Sequence, residues 1–147
     1  MKEKLHVFLQ ANKILALATT DGADVDVCNL HYYADEDGNL YFVSRPQRKH
    51  SQNIIHHPEV SVCIYAPDEV TDNVVSGVQL KWICKLYEVK DGSDAMQAFY
   101  NKFPAKYEWE SIEAAENHDF RSFYKIIPTW IRVIDGRSWD LPHEITL

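Results

Sequence analysis

The chain has 147 residues, which is enough to bury a hydrophobic core, and we predict a single domain over residues 1–147. Its composition, 46% hydrophobic and 25% charged residues, is typical of a globular protein and excludes a disordered chain. The net charge of −7 disfavours nucleic acids and anionic membranes as partners, because both are bound through basic surfaces.

The first part of the chain predicts one helix and then strands joined by tight turns. An amphipathic helix is predicted over residues 2–12, because apolar side chains recur there at helical spacing. The turns contain glycine, which supplies the positive φ that a hairpin turn needs. The elements expected after the helix are the strand Ile14–Thr20, the turn Asp21–Gly22, the strand Val25–Ala34, the turn Asp35–Asn39 and the strand Leu40–Ser44. Since Ile14–Thr20 is apolar nearly throughout, we expect it to be covered on both faces.

The central stretch, from Tyr41 to Ile64, predicts a strand, a basic turn, a short helix ended by a proline, and a second strand. Arg45, Arg48 and Lys49 lie together in the turn where the helix begins. Free amide groups and the positive end of the helix dipole meet there, so the turn is suited to hold a phosphate. The alternative is that these side chains are simply solvated, as surface basic residues usually are.

The rest of the chain predicts mostly strands. The expected elements are the strand Glu59–Tyr65, a polar loop Ala66–Asn73, the long strand Val74–Val89, a helix from Ala95 to Phe103, an acidic irregular segment 105–119, the strand Ser122–Ile134 broken at Pro128, and a last short strand around Trp139. Short turns and few helices predict a mainly β fold, a closed or nearly closed antiparallel barrel of about six or seven strands with a few short peripheral helices.

No motif of known catalytic chemistry is present. The sequence has no glycine-rich dinucleotide or phosphate loop, no GxSxG and no HExxH. Its seven histidines raise the question of a metal site. His56 and His57, however, are adjacent on a helix, so their side chains point in different directions. They also lie at the end of that helix, where histidine commonly interacts favourably with the helix dipole. We therefore predict no metal site.

The cysteines and the amino terminus indicate the compartment. Cys28, Cys63 and Cys84 each lie in an apolar, strand-like run, so we expect three buried thiols and no disulfide. Residues 1–6 show no signal-peptide pattern, and no stretch approaches the ~18 apolar residues that span a membrane. We therefore expect a cytoplasmic protein.

An ordered set of segments resembles the pyridoxamine 5'-phosphate oxidase-like, FMN-binding split-barrel family, in particular a small branch of it. The matching segments follow two apolar strands and are, in order, Asp35–Gly38, Leu40–Ser44, Arg48–Lys49, Asn53–Ile54, His57–Val62, Gly77–Lys81 and Tyr100–Pro104. No single segment is diagnostic, and the order of the whole set carries the resemblance. It implies a split β-barrel and a homodimer that holds FMN at the subunit interface.

The resemblance also implies which residues contact the FMN phosphate. They are Ser44, Arg48 and Lys49, a hydroxyl and two cations that suit a phosphate dianion through charge-assisted hydrogen bonds. If the helix is aligned from Pro58 instead, His50 takes the place of one cation, so the assignment stays open by one position.

Four further residues are implied as contacts of the isoalloxazine ring. The amide of Gln79 can donate to and accept from the ring edge, although an outward polar residue on a barrel strand is the alternative. Val43 contributes its backbone, and Asn29 and Tyr32 line the ring. Trp82 departs from the small residue that is usual at its position, so it either packs against the flavin or fills the pocket.

In function, the resemblance implies an FMN-dependent oxidoreductase that acts on an unidentified small substrate. The flavin carries the chemistry in such proteins, so no catalytic residue is predicted. Vitamin B6 oxidation is not expected, because the carboxy-terminal arginine- and histidine-bearing segment of true pyridoxamine phosphate oxidases is absent. The alternatives are a flavin-binding sensor or stress-related carrier without turnover, a split barrel that binds haem or a deazaflavin, and a structural dimer without a ligand.

Overall fold

Eight antiparallel strands form one sheet, and three helices lie against it, in a computed structural model that describes residues 2–66, 76–86, 94–104, 122–135 and 143–146. The helices are α1 (Lys2–Ala11), α2 (Lys49–His56) and α3 (Asp94–Lys102). The strands are β1 (Ile14–Thr20), β2 (Val25–His31), β3 (Tyr33–Ala34), β4 (Leu40–Ser44), β5 (Glu59–Tyr65), β6 (Ser76–Leu86), β7 (Ser122–Asp135) and β8 (His143–Thr146). The predicted mainly β fold is confirmed.

The sheet curves into a barrel that is split on one side. Its strands follow the order β2-β1-β5-β6-β7-β4-β3, with β8 beside β7. β2, at one end of this path, contacts β4, the strand next to the other end. Among the described residues the backbone pairs do not include one between β2 and β4. We call this unpaired junction the seam.

The core fills the inside of the barrel because burial alternates along the strands. On β5, Val60, Val62 and Ile64 are buried, whereas the residues between them are exposed. This period of two places every second side chain on the inner face. The largest fully buried side chains in the described ranges are Tyr32, Phe42, Phe99, Leu9, Leu15, Leu17, Leu40, Ile64, Leu80, Met96, Ile126 and Val78.

The two predicted glycine turns are confirmed. Gly22, between β1 and β2, has a φ of 95°, and Gly38, between β3 and β4, has a φ of 82°. In the second turn a carboxylate oxygen of Asp35 accepts hydrogen bonds from the backbone N–H groups of Asp37 and Asn39, at 3.0 and 2.9 Å. The acidic turn is therefore an Asx-type hairpin connection.

The prediction that β1 is covered on both faces is wrong. Leu15, Leu17 and Thr19 are buried, but Ile14 is 52% exposed, and the alanines between them are only half-buried. Alanine counts as apolar, but its small side chain can stay half-exposed at little cost. The apolar run therefore led to an overestimate of the burial of β1. The expectation of three buried thiols is also wrong, because Cys63 is exposed on the outer face of β5.

Pro128 does not break β7, which runs continuously past it. Lys81 of β6 pairs with Trp130, but the next residue, Trp82, pairs with Pro128, so Thr129 is the extra residue of a β-bulge. The Thr129 hydroxyl donates a hydrogen bond to the Lys81 carbonyl at 2.9 Å. Proline has no N–H group to donate to a neighbouring strand, and it is tolerated at a bulge because the regular hydrogen-bond ladder is interrupted at that point.

The chain from Val25 to Ala34 was predicted to form one strand and forms two, β2 and β3, because it turns at Tyr32. The Tyr32 N–H donates to the Lys13 carbonyl at 3.2 Å, and its hydroxyl donates to the Leu9 carbonyl at 2.8 Å.

Several predicted segments lie outside the described residues, namely the loop from 67 to 73, the acidic segment 105–119, the strand around Trp139 and the side chain of Trp82. No helix in the described ranges has the length and apolar character to cross a membrane.

Candidate cofactor site

His50 lies in the seam and contacts strands from both sides of it. Its Nε2 lies 2.7 Å from the Ser44 hydroxyl oxygen on β4, and its Nδ1 lies 3.4 Å from the Cys28 sulfur on β2. The ring also meets Phe42 edge-on, with centroids 6.3 Å apart. His50 therefore bridges the two strands by side-chain contacts where the sheet is split.

The start of α2 explains why His50 points inward. The helix begins at Lys49, with Arg48 as its N-cap, so Lys49 and His50 belong to the helix rather than to the preceding turn. Residues three and four positions along a helix share a face, and Asn53 and Ile54 are both buried. Asn53 anchors that face, because its amide donates to the Thr19 hydroxyl at 3.1 Å.

Burial is the main reason that His50 is neutral near pH 7. Burial lowers the pKa of His50 below its ordinary value of 6.5, and the positive charge of Arg48 lowers it further, whereas Asp26 acts in the opposite direction. Burial raises the pKa of the Cys28 thiol, and the Asp26 carboxylate raises it further, so Cys28 is not a thiolate. Within the part of the chain that the structure describes, Asp26 Oδ2 is buried without a hydrogen-bond partner, which leaves acceptor capacity near the imidazole.

The basic turn is closed by its own hydrogen bonds. The Arg48 N–H donates to the Arg45 carbonyl at 3.1 Å, and the Gln52 side chain donates to the Pro46 carbonyl at 2.6 Å. The Arg48 side chain is exposed, and it makes no capping hydrogen bond to the helix. Lys49, by contrast, forms an ion pair of 2.5 Å with Asp21 in the β1–β2 turn. The hydrogen bond that Lys49 donates to the Asp21 carboxylate raises the pKa of Lys49.

The donors at this point of the seam fit a phosphate group. Ser44 supplies a hydroxyl, His50 an imidazole and Arg48 a guanidinium, and the first turn of α2 supplies N–H groups that have no acceptor within the helix. The Lys49 ammonium would join this set only if it left its ion pair with Asp21, or if it contacted Asp21 and the phosphate together. Ser44 is 7% exposed, so a ligand would meet its hydroxyl at the mouth of the seam rather than on open surface.

A second concave surface lies on the outer face of β2, β1, β5, β6 and β7. We call it the groove, and it encloses about 410 Å³. The Lys81 Nζ lies 5.5 Å from the centroid of the Trp130 ring, and the Arg132 guanidinium carbon lies 5.0 Å from it. The groove is lined by Ala16, Ala18, Val27, Ser61, Val62, Cys63, Gln79, Leu80, Lys81, Trp130 and Arg132.

The structure separates the residues that were predicted to contact the ring. Gln79 lines the groove and is exposed. Asn29 lies in the same cross-strand row as Gln79, but Ala16 and Cys63 lie between them in that row. Three strand spacings therefore separate the two amides, roughly 14 Å. Val43 pairs with Phe123 in the β4–β7 ladder, and its side chain packs against α3.

The structure places the side chain of Tyr32 in the core. Its side chain is fully buried, and its hydroxyl is held by the Leu9 carbonyl. Burial raises the pKa of Tyr32 well above its usual range. The prediction treated Tyr32 as the next residue of a regular strand, but the turn between β2 and β3 directs it into the core.

Five residues near the two surfaces were not predicted. Asp26 and Cys28 alternate along β2 and so share its inner face with the seam. Lys81 lies two positions after Gln79, and Trp130 and Arg132 alternate in the same way on β7. This spacing of two was available in the sequence, but the pairing of β6 with β7 that unites them was not.

The seam and the groove lie on the two faces of one strand. Val27 lines the groove, and the next residue, Cys28, contacts His50 in the seam. β2 ends the path of the sheet, so a ligand would pass around its edge to reach both surfaces. In the described ranges, histidine, cysteine and carboxylate side chains form no group of three or more that could hold a metal ion.

Comparisons with known proteins identify the fold. Neither the scan against family models nor the search of curated proteins finds a match. Among solved structures, a haem-binding protein from Mycobacterium smegmatis aligns at a TM-score of 0.81 and 18% identity, over 99% of this chain and 57% of that one. A putative pyridoxamine 5'-phosphate oxidase from Listeria innocua aligns at 0.69 and 20% identity, over 90% and 96% of the two chains. An FAD-binding protein from Mesorhizobium loti aligns at 0.69 and 18% identity, over 89% and 90%.

The chain has the split-barrel fold of these proteins. At such identities the likeness concerns the fold alone, and at that level it confirms the resemblance inferred from the sequence. The named proteins are described as binding haem or FAD, or as a pyridoxamine phosphate oxidase, so the shared barrel accommodates more than one cofactor.

Proposed function

We propose that this chain is an FMN-binding oxidoreductase of the pyridoxamine 5'-phosphate oxidase-like class, which works in the cytoplasm as a homodimer on a small substrate. The observation that carries the proposal is the contact of His50 with Ser44 at the amino terminus of α2, 2.7 Å apart, beside the exposed guanidinium of Arg48. A hydroxyl, an imidazole and an arginine next to free helix amides form a donor set suited to a phosphate.

The position of the two surfaces supports a ligand with one charged end and one planar end. A phosphate at the seam and a ring at the groove would be joined by a flexible chain that passes the edge of β2, and FMN has this construction. Gln79 in the groove offers an amide that can both donate to and accept from a ring edge. When bound, FMN supplies the electron transfer, and the residues of the chain supply position, electrostatics and access.

In this proposal, His50 also changes its protonation state when the phosphate binds. Its imidazole is neutral near pH 7 because burial and Arg48 lower its pKa. A phosphate dianion favours the protonated ring, since an opposite charge nearby stabilises the charged form. Asp26, which already favours protonation of His50, supports that change from the other side. His50 would therefore gain a proton as the phosphate binds, whereas a lysine at this position would already be charged.

The homodimer is supported by apolar side chains on the outer face of the barrel. Val25 is 71% exposed, Val27 is 67% exposed and Ile83 is 37% exposed, and all three lie on the outer face of the sheet that also carries the groove. Apolar side chains grouped on one face favour burial against another surface. A second copy that covered this face would also enclose the groove, which is where the proposal requires the interface.

The first test is the absorption spectrum of the purified protein, before and after FMN is added and the excess is removed. Retained bands near ~375 and ~450 nm support the proposal, whereas a Soret band indicates haem. A protein that retains no chromophore contradicts the FMN proposal and leaves the ligand-free dimer as the better account. Size-exclusion chromatography with light scattering tests the dimer in the same samples.

The matching variant is Arg48→Ala combined with Lys49→Ala. Removing both cations should weaken FMN binding by about 2–4 kcal/mol, as the loss of charged hydrogen bonds does. Lys85→Ala is the control, because Lys85 is an exposed lysine of β6 outside the groove lining. Equal FMN affinity in the double variant and the control would show that the basic turn is not the phosphate site.

A further inference from the structure

We propose that Lys102, the last residue of α3, is a covalent binding site for small aldehydes, which its side-chain amine takes up as an imine. Lys102 contacts residues of neither the seam nor the groove in the contacts described below, and the FMN proposal gives it no role. The inference therefore goes beyond the proposed function, and it does not depend on whether the barrel holds a flavin.

The amine of Lys102 is held in a partly enclosed site between three parts of the chain. Its Nζ donates a hydrogen bond to the Asn12 carbonyl, between α1 and β1, at 2.7 Å. It also lies 4.9 Å from the centroid of the Tyr32 ring and 5.8 Å from that of Phe103, within cation–π distance. The Phe103 ring in turn stacks on His31, with centroids 4.8 Å apart. One carbonyl and two aromatic rings therefore fix the position of a half-buried amine.

These surroundings make Lys102 a better nucleophile than an ordinary lysine. Burial is the larger cause and the positive charge of Lys13 the smaller one, and together they lower the pKa of Lys102 from its ordinary value of 10.5 to about 8. Tyr32, which faces the amine, stays uncharged because burial raises the pKa of its hydroxyl. Near pH ~7.5 the neutral fraction of such an amine exceeds that of an unperturbed lysine by roughly a hundredfold. A lysine desolvated in apolar surroundings is suited to attack carbonyl compounds.

The reaction is a condensation that needs no oxidant or reductant. The ammonium first gives one proton to water, and the nitrogen lone pair then attacks the aldehyde carbon to form the C–N bond. The two hydrogens that remain on nitrogen move to the carbonyl oxygen, and the C–O bond breaks as this oxygen leaves as water. The product is an imine, which can take back one proton.

The contacts of Lys102 fit an imine better than they fit the ammonium that competes with it. An ammonium has three N–H groups to satisfy, so burial penalises it strongly. A protonated imine has one N–H group, which can keep the hydrogen bond to Asn12, and its charge stays near the rings of Tyr32 and Phe103. Formation of the adduct therefore relieves a cost of burial while the polar contact is kept.

The test is the occupancy of individual lysines after the purified protein has been equilibrated with a low concentration of benzaldehyde at pH ~7.5. A brief borohydride quench converts each imine into a stable benzylamine, and peptide mass spectrometry measures the modified fraction. Lys85, an exposed lysine of β6, is the internal control. We expect at least roughly tenfold higher occupancy at Lys102 than at Lys85, because more of its amine is neutral. Equal occupancies, or a preference for Lys85, would overturn the inference.

The pH dependence of the same ratio tests the cause of the preference. The occupancy of Lys102 relative to Lys85 should fall at least roughly tenfold between pH ~7.5 and pH ~9.5, because the exposed amine also becomes neutral as the pH rises towards its pKa. A ratio that stays constant contradicts the inference, since a difference in access alone would produce it.

A pair of variants locates the site. Lys102→Arg keeps the positive charge but removes the nucleophilic amine, so it should abolish most of the total benzylation at low benzaldehyde and leave the labelling of Lys85 unchanged. Lys85→Arg is the matched control and should label as the unsubstituted protein does. Equal total benzylation in the two variants would show that Lys102 is not the preferred site.

Discussion

The seam and the groove hold their polar groups in opposite ways. In the seam, His50 is half-buried and contacts Ser44 and Cys28 with its two ring nitrogens. In the groove, Lys81 and Trp130 stand on an open sheet face above small side chains. A buried polar group must keep its partner, whereas an exposed one can exchange it for water. The comparison teaches that seam residues serve stability and binding together, while groove residues can change with little effect on stability.

The largest contrast is expected between neighbouring residues of β1. Leu17 is fully buried, and Leu17→Ala should lower the free energy of unfolding by about 2–5 kcal/mol, because it removes apolar contacts and leaves a cavity. Ala18→Leu, on the groove side, should change it by no more than about 0.5 kcal/mol. Urea unfolding measures both. Similar losses in the two variants would show that both faces of β1 are packed.

The next effect comes from the seam itself. His50→Ala leaves the buried Ser44 hydroxyl without its contact and should lower the free energy of unfolding by about 1–3 kcal/mol. The control is His56→Ala on the exposed side of the same helix, and both variants are measured at pH 8, where His50 is neutral because burial lowers its pKa. If both variants lose the same stability, the effect belongs to the helix and not to the seam.

The pH dependence of stability should also report on the seam. The folded protein lowers the pKa of His50, so the unfolded chain takes up a proton more readily. Stability should therefore be full above pH ~6.5 and fall as the pH drops through that value. The measurement is the urea midpoint between pH 8 and pH 5.5. His50→Asn should flatten the fall, and His56→Gln should keep it; a fall that persists in His50→Asn would assign it to another group.

The smallest effect on stability is expected at Lys49. Its ion pair with Asp21 joins α2 to the β1–β2 turn, but both groups are solvent-exposed. Such pairs contribute little, because water and salt screen them. Lys49→Met should leave the urea midpoint unchanged within error while weakening FMN retention. A clear loss of stability in Lys49→Met, together with a fall in the stability of the unsubstituted protein towards that of the variant when salt is added, would show that the pair holds α2 in place.

Most of the fold could be predicted from local patterns. Alternating apolar residues define β5, and glycine turns define the two hairpins at Gly22 and Gly38. The exceptions have physical causes. Tyr32 lies in the core because it donates hydrogen bonds to the backbone carbonyls of Leu9, in α1, and of Lys13, between α1 and β1. The bulge that accommodates Pro128 depends on pairing with β6, which no local pattern encodes.

The candidate site could be predicted only in part. The sequence brought Arg48, Lys49 and His50 into one short stretch, but it did not decide which of them faces the barrel. That choice depends on where α2 begins, and a shift of one residue turns a side chain by about 100°. The groove was missed for another reason. Its lining comes from strands that are far apart in the chain, and only the barrel brings Ala18, Lys81 and Trp130 together.

The position of β7 in the chain has a consequence for biosynthesis. β7 is the strand that pairs with β4, β6 and β8, and it joins residues as distant as Leu40 and Ile126. Until the ribosome has released it, β4 and β6 keep open edges, and the five residues of β4, all buried in the finished barrel, remain exposed. Such long-range closure is slow and leaves the nascent chain open to aggregation. The barrel can therefore close only after most of the described strands have been made.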